Sequence, residues 1–326
     1  MIVDGLVEAL QAAVGTGQRR VVGADASLSP YSSSFRIEDV TVDFVGGERE
    51  HLVLKDLSWG TMLDGARAVR TEATHDPCRE VDVYRNLLSR APSGPPRLLG
   101  WLHRDREERH WLFLEKVDGL QLRHVGELET WRHAARWVGE FHARFREPED
   151  LAAAGLPEWT AHRLRQSLRT AEARVSGHGD RRARRAMARV RHHHATVVSR
   201  LEGAPVTVIH GQLYPSNVLV VPGSPPRISP LDWETAAVGP GVLDLAALVE
   251  GTWDETARDA LCRAYLEGRD GAGGTDGLAR LRVDLACARV QLCLEVLGLP
   301  AAFRPPDDYA ADWAGLAAEL TSEVAA

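Results

Sequence analysis

Two amide side chains, one carboxylate and one lysine set the chemistry open to this chain. Gln212 and Asn217 lie in the run Val208-Ile209-His210-Gly211-Gln212-Leu213-Tyr214-Pro215-Ser216-Asn217-Val218, and Asp232 follows in Leu231-Asp232-Trp233-Glu234. Asn217 and Asp232 offer hard oxygen ligands of the kind Mg²⁺ prefers. Lys55, inside an alternating strand-like run, offers positive charge for the α- and β-phosphates of a nucleotide, and Glu80 is its candidate ion-pair partner. Phosphoryl transfer needs these parts: charge on the phosphates, oxygens for magnesium, and a group that orients the acceptor. The interval from residue 212 to 217 fits the loop pattern H-x-D-x-x-x-x-N, except that Gln212 stands where the pattern has aspartate.

Lysine is rare here. Of 39 basic residues only Lys55 and Lys116 are lysines. A position that keeps a compact ammonium in so arginine-rich a chain is a candidate for a role a planar guanidinium cannot fill. The bland alternative, a strand lysine facing solvent, loses ground because Glu80, Asn217 and Asp232 follow in order. His210 reads as a buttress for its loop rather than a base, and Tyr214 as packing. His192-His193-His194 lies in a charged helical stretch and reads as a solvated face.

These residues need elements to carry them. Residues 3–14 have apolar positions at helical spacing, and 35–44 and 51–57 alternate with period two around a Gly46-Gly47 turn, which predicts a hairpin. A helix from about Cys78 to Ser89 carries Glu80 and ends at the Pro/Gly-rich break of 91–96. Strand-like runs at 98–102 and 111–114 complete a small β-rich lobe. From Leu120 the chain reads as mostly helical, over 131–146, 161–201 and from 252 onward, interrupted by a hairpin region at 206–232.

With those residues in place, the chain resembles the aminoglycoside phosphotransferase and choline kinase superfamily of protein-kinase-like enzymes, from about Ser27 to Glu250. Arg79-Glu80-Val81-Asp82-Val83-Tyr84, Leu112-Phe113-Leu114-Glu115-Lys116-Val117-Asp118-Gly119 and Trp137-Val138-Gly139-Glu140-Phe141-His142-Ala143 support it alongside the loop and Asp232. The resemblance implies an α+β bilobal kinase-like fold, with a nucleotide-binding lobe over 1–115 and a helical lobe over 116–326 carrying the catalytic loop and acceptor site. It implies ATP or another nucleoside triphosphate with Mg²⁺ in the cleft between lobes. The Glu115 and Val117 backbone would bind adenine, Ser32, Ser33 and Ser34 would cover the phosphates, and Asn217 and Asp232 would hold metal. Asp244 would brace the loop, and Gln212 would face the acceptor.

Glutamine can accept a hydrogen bond from an acceptor hydroxyl but cannot take its proton. General-base help is typically worth ~10²–10⁴-fold, a loss that a reaction carried by positioning and electrostatics can survive. Three readings stay open: a specialised kinase with Gln212 orienting the acceptor, a kinase for an already anionic acceptor, and a pseudokinase that binds nucleotide or a partner without transfer.

The acceptor, a small molecule or a peptide, is not named by the sequence. Residues 161–200 hold eleven arginines against Glu172 and Asp180, whereas 250–326 hold 14 acidic residues against seven arginines. The first suits an anionic acceptor and the second a cationic one; resistance and natural-product biosynthesis both fit. A net charge of −7 and a pI near 6.0 give no nucleic-acid signal. No apolar run approaches ~18 residues, which predicts no membrane span, and no basic-then-apolar leader is evident. Cys78, Cys262, Cys287 and Cys293 lack paired metal-ligand spacing and read as buried free thiols in a reducing cytoplasm. Oligomeric state is open.

Overall fold

The computed structural model describes residues 5–15, 19–32, 34–67, 75–177, 180–251, 253–271, 277–299 and 307–325. The chain forms two compact units, Met1–Arg90 with Gly94–Asp118, and Ala91–Ser93 with Gly119–Ala326.

The first unit is a five-stranded antiparallel sheet. Its strands are β1 (Val21–Leu28), β2 (Arg36–Phe44), β3 (Arg49–Asp56), β4 (Leu98–Arg104) and β5 (Arg109–Glu115), in the order β1-β2-β3-β5-β4. Helix α1 (Leu6–Val14) packs on β1 and β4. Its Leu6, Leu10 and Val14 join Val40, Val42, Leu52, Leu54, Trp111 and Phe113 in one apolar core. Alternation along β3 then turns Lys55 to the opposite face from Leu52 and Leu54. Gly46 and Gly47 close the β2–β3 hairpin with φ of 100° and 86°, a region open to glycine without a Cβ clash.

Strand β1 has no counterpart in the sequence reading. Its Gly, Ala, Asp and Ser residues have weak strand preference, and the ladder to β2 with the packing of α1 orders it at the sheet edge. The expected helix over 78–89 is also different in kind. It comprises α3 (Arg79–Asp82), a widened π-type turn at Val83–Leu87 and a 3₁₀ turn at Leu88–Arg90. A 3₁₀ turn at Trp59–Thr61 and the short α2 (Asp64–Arg67) precede it.

The second unit is mainly helical. A short β6 (Leu120–Gln121) leads to α4 (Leu128–Arg144), α5 (Pro148–Ala154), α6 (Ala161–Ser176) and α7 (Arg181–Glu202). The single helical run expected over 161–201 is thus two helices, separated after Gly177, with Asp180 capping the second through its carboxylate. Strands β7 (Val206–Ile209), β8 (Val218–Val221), β9 (Arg227–Pro230) and β10 (Ala237–Pro240) form two small sheets, β10-β7 and β6-β8-β9. Helices α8 (Val242–Leu248), α9 (Glu255–Asp270), α10 (Leu278–Gly298) and α11 (Asp307–Ala325) complete the unit.

Helices α4 and α9 touch through glycines. A Cβ on Gly139 would lie 2.1 Å from the Tyr265 carbonyl oxygen, and one on Gly268 would lie 2.1 Å from that of Arg136. That approach brings His142 of α4 against Tyr265 of α9. Around it, Phe141 stacks with Trp137 and meets Phe145 and Trp233, so α4 is packed directly against the segment after Asp232.

All four cysteines are free; Cys262, Cys287 and Cys293 are buried, but Cys78 is only half-buried. The histidine tract is less exposed than its sequence suggests. His194 is buried and its pKa is lowered to about 4 by desolvation. No helix among the described residues is long and apolar enough to cross a membrane.

Candidate active site

In the second unit, residues 210–217 form a loop whose shape is fixed by one carboxylate. Asp244, at the start of α8 and 2% exposed, accepts the His210 N–H at 2.7 Å through Oδ2 and the Gly211 N–H at 2.9 Å through Oδ1. His142 Nε2 donates to Oδ2 at 3.2 Å. That tautomer leaves His142 Nδ1 to accept from the Tyr265 hydroxyl at 3.0 Å. Burial raises the Tyr265 pKa, which keeps the phenol a donor. The carboxylate therefore braces main chain, as the resemblance implies.

His210 has both ring nitrogens engaged. Nε2 donates to the Leu231 carbonyl at 2.7 Å, and Nδ1 accepts the Gln212 N–H at 3.3 Å. It is a buttress and not a base. Gly211 follows with φ of 83°, and a Cβ there would lie 2.5 Å from the Thr235 carbonyl oxygen, so the turn needs glycine.

The loop and the Asp232 segment are locked together by main chain. Asn217 donates from Nδ2 to the Gln212 carbonyl at 3.0 Å, and its own carbonyl accepts the Leu231 N–H at 2.8 Å. Leu231 thus bonds the loop through both of its peptide groups, and Asp232 is the next residue. Asp232 takes the left-handed conformation, φ 66° and ψ 61°, which costs a non-glycine residue about 1–2 kcal/mol and persists where its surroundings dictate it. The structure therefore brings Gln212, Asn217 and Asp232 into one hydrogen-bonded assembly. Because Asn217 donates through its nitrogen, its Oδ1 faces the other way. An amide oxygen beside a carboxylate is the hard donor pair that Mg²⁺ takes. Gln212 is half-buried, and among the described residues its carboxamide makes no hydrogen bond.

Close by, burial and the charge of Glu295 push the Tyr214 phenol up to about 12. Glu295, on α10, accepts from Gln291 Nε2 at 2.8 Å and from the Ser167 hydroxyl. Both partners are neutral side chains.

In the first unit, Lys55 Nζ donates to Glu80 Oε2 at 2.6 Å, with side-chain exposures of 7% and 2%. The ammonium also lies 5.1 Å from the centre of the Phe35 ring. Strand β3 fixes the lysine by pairing it with Ile37 and Leu112 on its two sides. The serine turn holds itself: the Ser32 hydroxyl accepts the Ile37 N–H at 3.1 Å and donates to the Ser29 carbonyl at 3.1 Å. The Ser34 carbonyl accepts the Leu63 N–H at 3.0 Å, and Ser33 lies outside the described residues. Glu115 ends β5, with its N–H donated to the Arg97 carbonyl at 2.9 Å and its carboxylate accepting the Arg97 N–H at 3.0 Å. Val117 follows in irregular chain.

Sequence reasoning gave no role to His142, Tyr265 or the Leu231 main chain. Only His142 carried a signal, as the histidine of the Trp137–Ala143 run. The other two depend on the α4–α9 approach and on β-strand register.

Comparison with known proteins agrees with this architecture. Among solved structures, the microcompartment-associated aminopropanol kinase is 16% identical, with a TM-score of 0.63 over 98% of this chain and 96% of the other. Choline kinase from Cryptosporidium parvum Iowa II is 11% identical, with a TM-score of 0.62 over 93% and 90%. The GDP complex of wild-type aminoglycoside 2'-phosphotransferase-IIIa is 15% identical, with a TM-score of 0.57 over 97% of each chain. At such identities the likeness establishes the protein-kinase-like fold. No curated protein matches the chain. The model of the phosphotransferase enzyme family matches residues 38–282, three quarters of the sequence, and the chain belongs to that family.

Proposed function

We propose that this phosphotransferase moves the terminal phosphoryl group of a nucleoside triphosphate, ATP or GTP, to a small-molecule acceptor, with Mg²⁺ held by Asn217 and Asp232. The observation that carries the reading is the bonded assembly of Gln212, Asn217 and Leu231–Asp232 on the Asp244 brace. Relatives of the same fold include a GDP complex and kinases for aminopropanol and choline. The first unit supplies nucleotide contacts: Lys55, oriented by Glu80, meets the phosphates, and the Glu115–Val117 main chain meets the base. Magnesium, where bound, neutralises charge on the phosphates. Gln212 accepts a hydrogen bond from the acceptor and aligns it.

Glu295 favours a positively charged acceptor. Its carboxylate acts on Tyr214, two residues from Gln212, and is matched by no cation among the described residues. An amine on the acceptor suits that charge, whereas an anionic acceptor would be repelled.

The pseudokinase reading keeps one specific observation, the carboxamide at residue 212, which cannot take a proton. A labelled-phosphate transfer assay over amino alcohols, aminoglycosides and carboxylates separates the two. Transfer to an amine-bearing hydroxyl compound is expected, rising by about 10²-fold in Gln212→Asp as a general base is restored. Nucleotide binding with no transfer to any acceptor, in either protein, would establish the pseudokinase.

A further inference from the structure

Three side chains in the sheet-bearing unit converge, with Cys78 beside one of them, at a point that phosphoryl transfer does not use. His103 on β4 and His110 on β5 are direct cross-strand partners, and such pairs hold their Cβ atoms about 4.5–5.5 Å apart on one face. Their rings lie side by side, with centroids 4.3 Å apart and Nδ1 atoms 2.6 Å apart. The turn between the strands returns Asp105, whose Oδ1 is 2.9 Å from His103 Nε2. One ligand atom from each of His103, Asp105 and His110 falls within 4.8 Å of the others. From outside the hairpin, Cys78 Sγ stands 3.4 Å from His103 Nδ1.

We propose that His103, Asp105, His110 and Cys78 form a binding site for a Zn²⁺-class divalent ion. Two imidazoles, a carboxylate and a thiolate are the donor types that zinc takes in tetrahedral sites. Donor atoms sit about 3.3 Å apart around a tetrahedral zinc ion, so ligand atoms already within 4.8 Å of one another close on one with shifts of about 1–1.5 Å. The site is accessible: His103 and Asp105 are exposed and Cys78 is half-buried, while His110 at 9% exposure anchors the group to the sheet. Without metal, a proton between the two Nδ1 atoms and another from His103 to Asp105 satisfies the same atoms, which keeps the ligands assembled in the empty state.

Such an ion would tie two parts of the unit. Cys78 immediately precedes α3, the turn that carries Glu80, and the histidines belong to the β4–β5 hairpin. A filled site thus fastens the start of that turn to the sheet.

Metal-stripped protein titrated with Co²⁺ and then competed with Zn²⁺ tests the site. One equivalent of Co²⁺ is expected, giving the intense visible bands of a tetrahedral ion and a thiolate-to-metal band. Cys78→Ser removes the thiolate band, and His103→Ala, at an exposed position, lowers affinity at least about 10-fold. The pair His192→Gln/His193→Gln, in the separate histidine tract, leaves binding unchanged. Absence of stoichiometric binding, affinity indifferent to His103→Ala, a Co²⁺ spectrum lacking the thiolate band, or loss of binding in the tract variant overturns the proposal.

Discussion

Glu80 and Asp244 are equally hidden from water, each 2% exposed, yet they are satisfied by different kinds of donor. Glu80 meets the ammonium of Lys55, a side-chain charge carried on β3. Asp244 meets two peptide N–H groups and an imidazole, none of which can leave without unmaking the loop. A carboxylate matched to an ammonium can share that charge with an incoming phosphate. One saturated by main chain is committed to shape. Partner chemistry, and not burial, separates a carboxylate paired with a side-chain charge from one built into the main chain.

Breaking each partnership gives unequal results. Asp244→Ala leaves two peptide donors and the imidazole without an acceptor and is expected to cost about 3–5 kcal/mol in urea unfolding. Transfer activity should fall with it, since Gln212 and Asn217 lose their frame. Glu80→Gln removes the charge bonded to the Lys55 ammonium and should cost about 3 kcal/mol. The sharper test is the double change Lys55→Met with Glu80→Leu. Replacing a buried ion pair by apolar side chains is often close to neutral, so stability should return to within about 1 kcal/mol of the parent while nucleotide affinity stays lost. No apolar replacement at Asp244 can do the same, because the peptide N–H groups remain.

Two smaller effects concern the frame of the second unit. Gly139→Ala pushes a methyl group against the Tyr265 carbonyl and should lower stability by about 1–3 kcal/mol, with His142 displaced from Asp244. His194 tests the pH response. Its folded pKa of about 4 lies below the ordinary value of 6.5, so the unfolded chain takes up the proton first. Its contribution is complete above pH 6.5 and is lost as pH falls towards 4. His194→Leu should flatten that acid limb by about 1–2 kcal/mol in melts compared at pH 7 and 4.5.

The contrast also explains what could be read from sequence. Lys55 and Glu80 sit on elements announced by local pattern, a period-two strand with a Gly-Gly turn and a helical start, and their ion pair is formed as expected. Asp244 was legible only as a brace implied by resemblance. Its partner His142 and the Tyr265 that orients that histidine are 123 residues apart in the chain, joined by a glycine contact that no local period encodes. β1 stayed hidden because small residues gain strand structure only from a neighbour. The widening after Asp82 has no signature in residue types, since the same apolar spacing suits an ordinary helix. His103 and His110 became a pair only once the β4–β5 register was known.

The central claim is that the Asp232 assembly and Lys55 serve a magnesium nucleotide, and calorimetric titration tests it most directly. Purified protein titrated with ATP and with GTP, each with and without Mg²⁺, should bind one equivalent of at least one nucleotide, more tightly with the metal. Asp232→Ala should abolish the magnesium dependence, and Lys55→Met should weaken binding at least about 10-fold while each variant remains folded. A wild-type protein that binds neither nucleotide, or an Asp232→Ala variant with unchanged magnesium-dependent affinity, would contradict the account.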